Sequence, residues 1–103
     1  MTHQLFDLSG RVAVVSGAAS GMGRAMAIAF AEVGADLMLV DINTEGMQDT
    51  ASQIEKLGRR AVPVTCNVSD LDQIRAMFAQ LDREYGKIDI LGNVVGEGPI
   101  PFK

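Results

Sequence analysis

At 103 residues the chain has room for one small domain, and its 48% hydrophobic and 21% charged residues, without a long polar tract, are those of a globular protein. A net charge of −4 with no strongly basic stretch argues against nucleic acid or an anionic membrane surface as a partner. A single cysteine, Cys66, excludes a disulfide framework and a zinc cluster, fits a reducing cytoplasm, and reads as a small buried hydrophobe in a strand.

The stretch Met1 to Asp7 lacks the charged-then-apolar pattern of a secretory signal, and no apolar run approaches a membrane span. Residues 11–16 (RVAVVS), a short β-branched run ended by Gly17, predict a buried strand. Residues 21–33 predict a helix with an apolar stripe of Met22, Ala25, Met26, Ala29, Phe30 and Val33, stopped by Gly34. Residues 36–41 (DLMLVD) predict the second strand. Asn43 is placed to cap a helix whose face is Met47, Ala51, Ile54 and Leu57, with Gly58 as its stop. A third strand follows at Ala61–Cys66. Ser69-Asp70-Leu71-Asp72 has the form of a capping box with Asp in place of Glu. It opens a helix bearing Leu71, Ile74, Phe78, Leu81 and Tyr85, which Gly86 ends. The fourth strand, Ile88–Val95, is interrupted and weakened by Gly92, and the Gly- and Pro-rich tail Gly96–Lys103 reads as loop.

The order is β-α-β-α-β-α-β with short connections. Strands that alternate with helices imply an α/β fold, a doubly wound, Rossmann-type parallel sheet with expected strand order 3-2-1-4, in a single domain over residues 1–103. In such a sheet the ligand lies off the carboxyl ends of the strands. The turn there is SGAASGMG, residues 16–23. Gly17 can leave the strand sharply, and Gly21 and Gly23 let a diphosphate approach the main chain and the helix pack close to the strand. The helix N-terminus adds free N–H groups and a partial positive charge.

The spacing is G-x-x-x-G-x-G, not the G-x-G-x-x-G fingerprint, and glycines alone are weak evidence. Asp41, at the end of the second strand and 20 residues past Gly21, adds a partner. A carboxylate there can accept from both hydroxyls of an adenosine ribose and repels a 2′-phosphate, so NAD is expected rather than NADP. No basic residue adjoins Asp41, and Ser20, not a cation, precedes Gly21. Arg24 is expected at a solvated position on the first helical turn, although a flexible cation there could reach a phosphate.

Four landmarks together resemble the short-chain dehydrogenase/reductase family. Its T-G-x-x-x-G-x-G corresponds to Ser16-Gly17-Ala18-Ala19-Ser20-Gly21-Met22-Gly23, its strand-end acid to Asp41, its D-V pair to Asn67-Val68, and its N-N-A-G to Asn93-Val94-Val95-Gly96. The resemblance implies that the main chain at Ser20, Gly21 and Met22 contacts a pyrophosphate, and that Asp41 contacts the adenosine ribose. It implies that Asn67 and the Val68 N–H contact adenine, and that Asn93 and Gly96 lie along the nicotinamide half. Three departures stand out: Asn67 in place of Asp, Val94 in place of the second Asn, and Val95 in place of a small Ala.

The family's catalytic Ser, Tyr-x-x-x-Lys and Asn have no counterpart here. Tyr85, the only tyrosine, is followed by Gly-Lys-Ile, and both Tyr85 and Lys87 read as structural. His3 and the carboxylates near the third helix form no convergent metal set. The resemblance therefore implies the N-terminal, cofactor-binding portion of an NAD-dependent dehydrogenase/reductase acting on a small alcohol or carbonyl as a homo-oligomer, ending after the fourth strand. The alternatives are a stand-alone nucleotide-binding module without redox chemistry and, more weakly, a methyltransferase, which also sets an acid below a glycine turn.

Overall fold

The computed structural model describes residues 7–93. In chain order its elements are β1 (Val12–Ser16), α1 (Gly21–Glu32), β2 (Asp36–Asp41), α2 (Thr44–Lys56), β3 (Ala61–Thr65), α3 (Leu71–Glu84) and β4 (Ile90–Asn93). All strand pairs are parallel, in the order β3-β2-β1-β4. The chain steps outward from β1 to β3, then crosses back through α3 to place β4 on the other side of β1. The strand order thus reverses at β1, and the crevice for a ligand falls at the carboxyl ends of β1 and its neighbours.

Every residue of β1 is buried, because the sheet is covered on both faces and a strand so placed cannot alternate with polar side chains. The pleat sorts these side chains. Ala13, Val15, Leu37 and Leu39 face α1 and α2, where Ala27, Ala31, Met47 and Ile54 complete one core layer. Val12, Val14, Met38 and Val40 face the opposite way, onto Met77 and Leu81 of α3.

The buried face of α1 differs from the expected stripe: it is Gly23, Ala27 and Ala31, spaced by four, with Met22 71% exposed. Nearly the whole helix is apolar, so periodicity does not single out one face, and the small side chains decide because they let the helix close onto the strands. Gly92 takes part in that closure. A Cβ there would stand 2.6 Å from the Met26 sulfur, so Met26 of α1 packs directly over the bare backbone of β4 and would have to move for any side chain at this position.

In α2 the expected cap is present, with Asn43 Oδ1 accepting from the Gly46 N–H at 2.9 Å. Thr50 joins its buried face, and Leu57 turns out to solvent. Helices α1 and α2 both end in Schellman turns: Ala35 N–H donates to Phe30 O and Arg59 N–H to Ile54 O. The cap of α3 is Asp70, one residue later than the expected box, and Leu71 and Phe78 are exposed rather than buried. Ile88 precedes β4 instead of opening it.

Candidate functional site

Where β1 ends, Gly17 takes a φ of 74°, closed to most side chains, and its N–H donates to Val40 O at 2.8 Å. The Ala18 N–H reaches the same carbonyl at 3.3 Å. A Cβ on Gly23 would lie 1.8 Å from the Gly17 oxygen, so the first turn of α1 rests directly on the glycine turn and only glycine fits. Ser20 occupies the N-cap in extended conformation, and Gly21 and Met22 start the helix at the surface. That first turn carries no acidic residue, so nothing on α1 offsets the positive end of its dipole toward an anion.

Asp41 closes the other side. Its Oδ2 accepts from the Ala19 N–H at 3.0 Å and its Oδ1 from the Asn43 N–H at 3.1 Å, while its carbonyl accepts from Cys66 N–H at 2.9 Å. The half-buried carboxylate is therefore fixed to the glycine turn, and each oxygen keeps acceptor capacity for a further donor. A cleft of about 230 Å3 opens beside it, lined by Gly17, Asp41, Asn67 and Val68 over a floor of Val40 and Cys66. Burial, with the Asp70 charge adding to it, pushes the Cys66 thiol up, so it stays protonated and acts as floor rather than nucleophile.

Asn67 is held in its loop. Its Oδ1 accepts from the Ser69 N–H at 2.9 Å and its own N–H donates to Gln73 Oε1 at 2.7 Å. A neighbouring cleft of about 260 Å3 shares Ser16, Val40 and Val68 with the first and is bounded by Asn93 and the apolar face of α3. Ser16 and Asn93 are register partners, and the Ser16 hydroxyl donates to Asn93 Oδ1 at 2.6 Å. Of the site residues expected from the sequence, Gly17, Asp41, Asn67 and Val68 thus converge on one cleft. Ser20, Gly21, Met22 and Gly23 form the turn beside it, Asn93 borders the next cleft, and Gly96, with Val94 and Val95, lies outside the described residues.

Arg24 is not the solvated cation that its sequence position suggests. It donates through Nε to Thr50 Oγ1 (2.9 Å) and through one terminal nitrogen to the carbonyls of Ala19 (2.6 Å) and Gly46 (3.1 Å). The other terminal nitrogen pairs with Asp49 at 3.2 Å. These partners come from the turn and from α2, so no local pattern announces them; the one hint is a threonine on the apolar face of α2.

Tyr85 and Lys87 are both engaged away from this end of the sheet. The phenol donates to Leu37 O at 2.7 Å, and Lys87 pairs with Asp89 at 3.1 Å and reaches the Gly10 carbonyl. Among the described residues, no helix is long and apolar enough to cross a membrane.

A family model described as short chain dehydrogenase matches residues 11–102. The chain belongs to that family. One short-chain dehydrogenase relative is the 3-oxoacyl-acyl-carrier-protein reductase FabG of Thermotoga maritima, 37% identical over 89 residues, which are 86% of this chain and 36% of that protein. A hydroxysteroid dehydrogenase from Escherichia coli superposes with a TM-score of 0.88 at 32% identity, covering 98% of this chain and 43% of its own. An NAD+-bound xylitol dehydrogenase superposes with a TM-score of 0.80 at 30% identity, covering 82% of this chain and 32% of its own. The chain therefore spans well under half the length of these short-chain dehydrogenases.

Proposed function

We propose that the chain binds NAD across the carboxyl ends of β1, β2 and β3 and serves a protein that exchanges hydride between nicotinamide and a small alcohol or carbonyl compound. The observation that carries this reading is the Asp41 carboxylate, pinned by the Ala19 and Asn43 amides beside the cleft. A ribose with two free hydroxyls suits two fixed acceptor oxygens, whereas a 2′-phosphate meets their charge. Arg24, whose three nitrogens are already engaged, offers such a phosphate no compensation. A relative described as NAD+-bound supports the same choice.

The residues fit the cofactor by the space they leave as well as by their donors. The exposed, acid-free start of α1 at Gly21 suits a diphosphate, with the main chain at Ser20, Gly21 and Met22 holding it, while Gly17 and Gly23 shape the turn beneath. Asn67 and the Val68 N–H would hold the adenine, and Asn93 and Gly96 would flank the nicotinamide half. Bound nicotinamide supplies the hydride donor or acceptor; this chain's part is to place and orient it. These 103 residues contain no Tyr-x-x-x-Lys segment, so the chain by itself is expected to bind without turnover. Its lone cysteine fits a reducing, cytoplasmic setting, and homo-oligomeric assembly belongs to the same reading.

Titration of the chain with NAD and NADP, with Asp41→Ala alongside, tests the reading. NAD is expected to bind more tightly than NADP. Loss of the charged acceptor should weaken NAD roughly tenfold to hundredfold and narrow the gap to NADP. Unchanged NAD affinity in Asp41→Ala would overturn the ribose assignment.

A further inference from the structure

The glycine turn is held by a side chain that does not face the cleft. Each polar main-chain group of Ala18 and Ala19 is bonded: the two N–H groups to Val40 O and Asp41 Oδ2, the two carbonyls to Thr50 Oγ1 and the Arg24 guanidinium. Thr50 links the last two, since its hydroxyl accepts from Arg24 Nε at 2.9 Å and donates to Ala18 O at 2.8 Å. Helix α2 is brought up to meet them. A Cβ on Gly46 would stand 2.8 Å from the Ala19 carbonyl oxygen, and the Gly46 carbonyl accepts from the same terminal nitrogen of Arg24 that serves Ala19 O. A cation in the first turn of a helix opposes the dipole, so its placement calls for such partners.

We infer that Arg24 is a positioning residue for the dinucleotide: by clamping the Ala19 carbonyl to α2, it holds the glycine turn in the shape that turns its following amides toward the diphosphate. The inference rests on the NAD reading above. It differs from a direct phosphate contact, because every guanidinium nitrogen has a protein partner. It also requires arginine rather than positive charge. Nε and a terminal nitrogen must serve Thr50 and two carbonyls together, which a lysine ammonium cannot span.

The test compares wild type, Arg24→Lys, Arg24→Met and Thr50→Val, each titrated with NAD and with adenosine, which lacks the diphosphate. Arg24→Met is expected to weaken NAD about tenfold, and Arg24→Lys nearly as much, with adenosine affinity changed less than about twofold. Thr50→Val, which keeps the volume and removes the link, should weaken NAD by roughly threefold to fivefold with adenosine again spared. Full restoration of NAD affinity by lysine would mean that Arg24 acts through charge and would overturn the inference. Equal losses for NAD and adenosine would reduce it to a general support of the fold and overturn it too. Should Arg24→Met fail to fold, Thr50→Val decides by the same ratio of the two affinities. Wild type that binds NAD while all three variants match it sinks this inference alone; wild type without NAD affinity sinks the NAD reading as well.

Discussion

Tyr85 shows how a residue type associated with catalysis is committed elsewhere. Its hydroxyl donates to the Leu37 carbonyl and its ring lies 4.7 Å from the Arg60 guanidinium carbon. Burial is the main reason its pKa is pushed up from 10.0 to about 12, with Arg60 opposing and the charges of Asp36 and Glu84 adding. The folded state therefore favours the protonated phenol. Its contribution is complete below pH 10.0, where the unfolded side chain also stays neutral, and is lost as pH rises toward about 12. Because this is the only tyrosine, a tyrosinate absorbance titration of the folded chain reads it alone, and a midpoint near 10 would contradict the burial of the phenol. Tyr85→Phe should cost about 1 kcal/mol at neutral pH, measured by denaturant midpoint, and that deficit should shrink in alkali. At this scale Asp41 was legible from the sequence, because a strand-end acid at a set distance from a glycine turn is a local pattern. Arg24 was not, because its bonding partners include Gly46 and Thr50, 22 and 26 positions away.

Helix boundaries were legible where a stop or a cap has a single solution, and ambiguous where two residues compete. Ser69 and Asp70 can each cap α3, and the outcome depends on Gln73, three residues after Asp70. Asp70 Oδ1 accepts from the Asp72 N–H at 3.0 Å, Oδ2 accepts from Gln73 Nε2 at 3.1 Å, and Gln73 Oε1 takes the Asn67 N–H. Such a network satisfies orphan donors at the helix start and anchors the loop that carries Asn67 and Val68 to the cleft. Asp70→Ala should lower stability by about 1 kcal/mol in chemical denaturation. Ser69→Ala should leave the denaturation midpoint close to wild type; a larger loss at Ser69 than at Asp70 would restore the earlier capping frame. The face of α1 was illegible for a different reason. A helix apolar nearly all round carries no periodic instruction, and the choice falls to Gly23, Ala27 and Ala31, the residues small enough to let it approach β1 and β4.

For the whole molecule, alternation of strand and helix was enough to give the parallel sheet, since right-handed crossovers leave few ways to wind four strands, while its order, β3-β2-β1-β4, matches the one expected of a Rossmann-type sheet. The same topology leaves an exposed border. β4 pairs with β1 on one side only among the described strands, so its outer edge offers unpaired N–H and C=O groups. Beside it the cleft between α3 and β4 is rimmed by Leu91 (61% exposed), Val68 (52%) and Phe78 (44%), an apolar patch that water covers poorly. An open strand edge next to exposed apolar side chains favours pairing between copies. The 103-residue chain is therefore expected to self-associate, with its mass by analytical ultracentrifugation rising from micromolar toward millimolar concentration. Placing a charge at the rim, as in Leu91→Lys, should shift that equilibrium toward monomer while leaving the buried core intact, because the Leu91 side chain contributes little to it. A monodisperse monomer across the whole range would show that the border is satisfied within one copy.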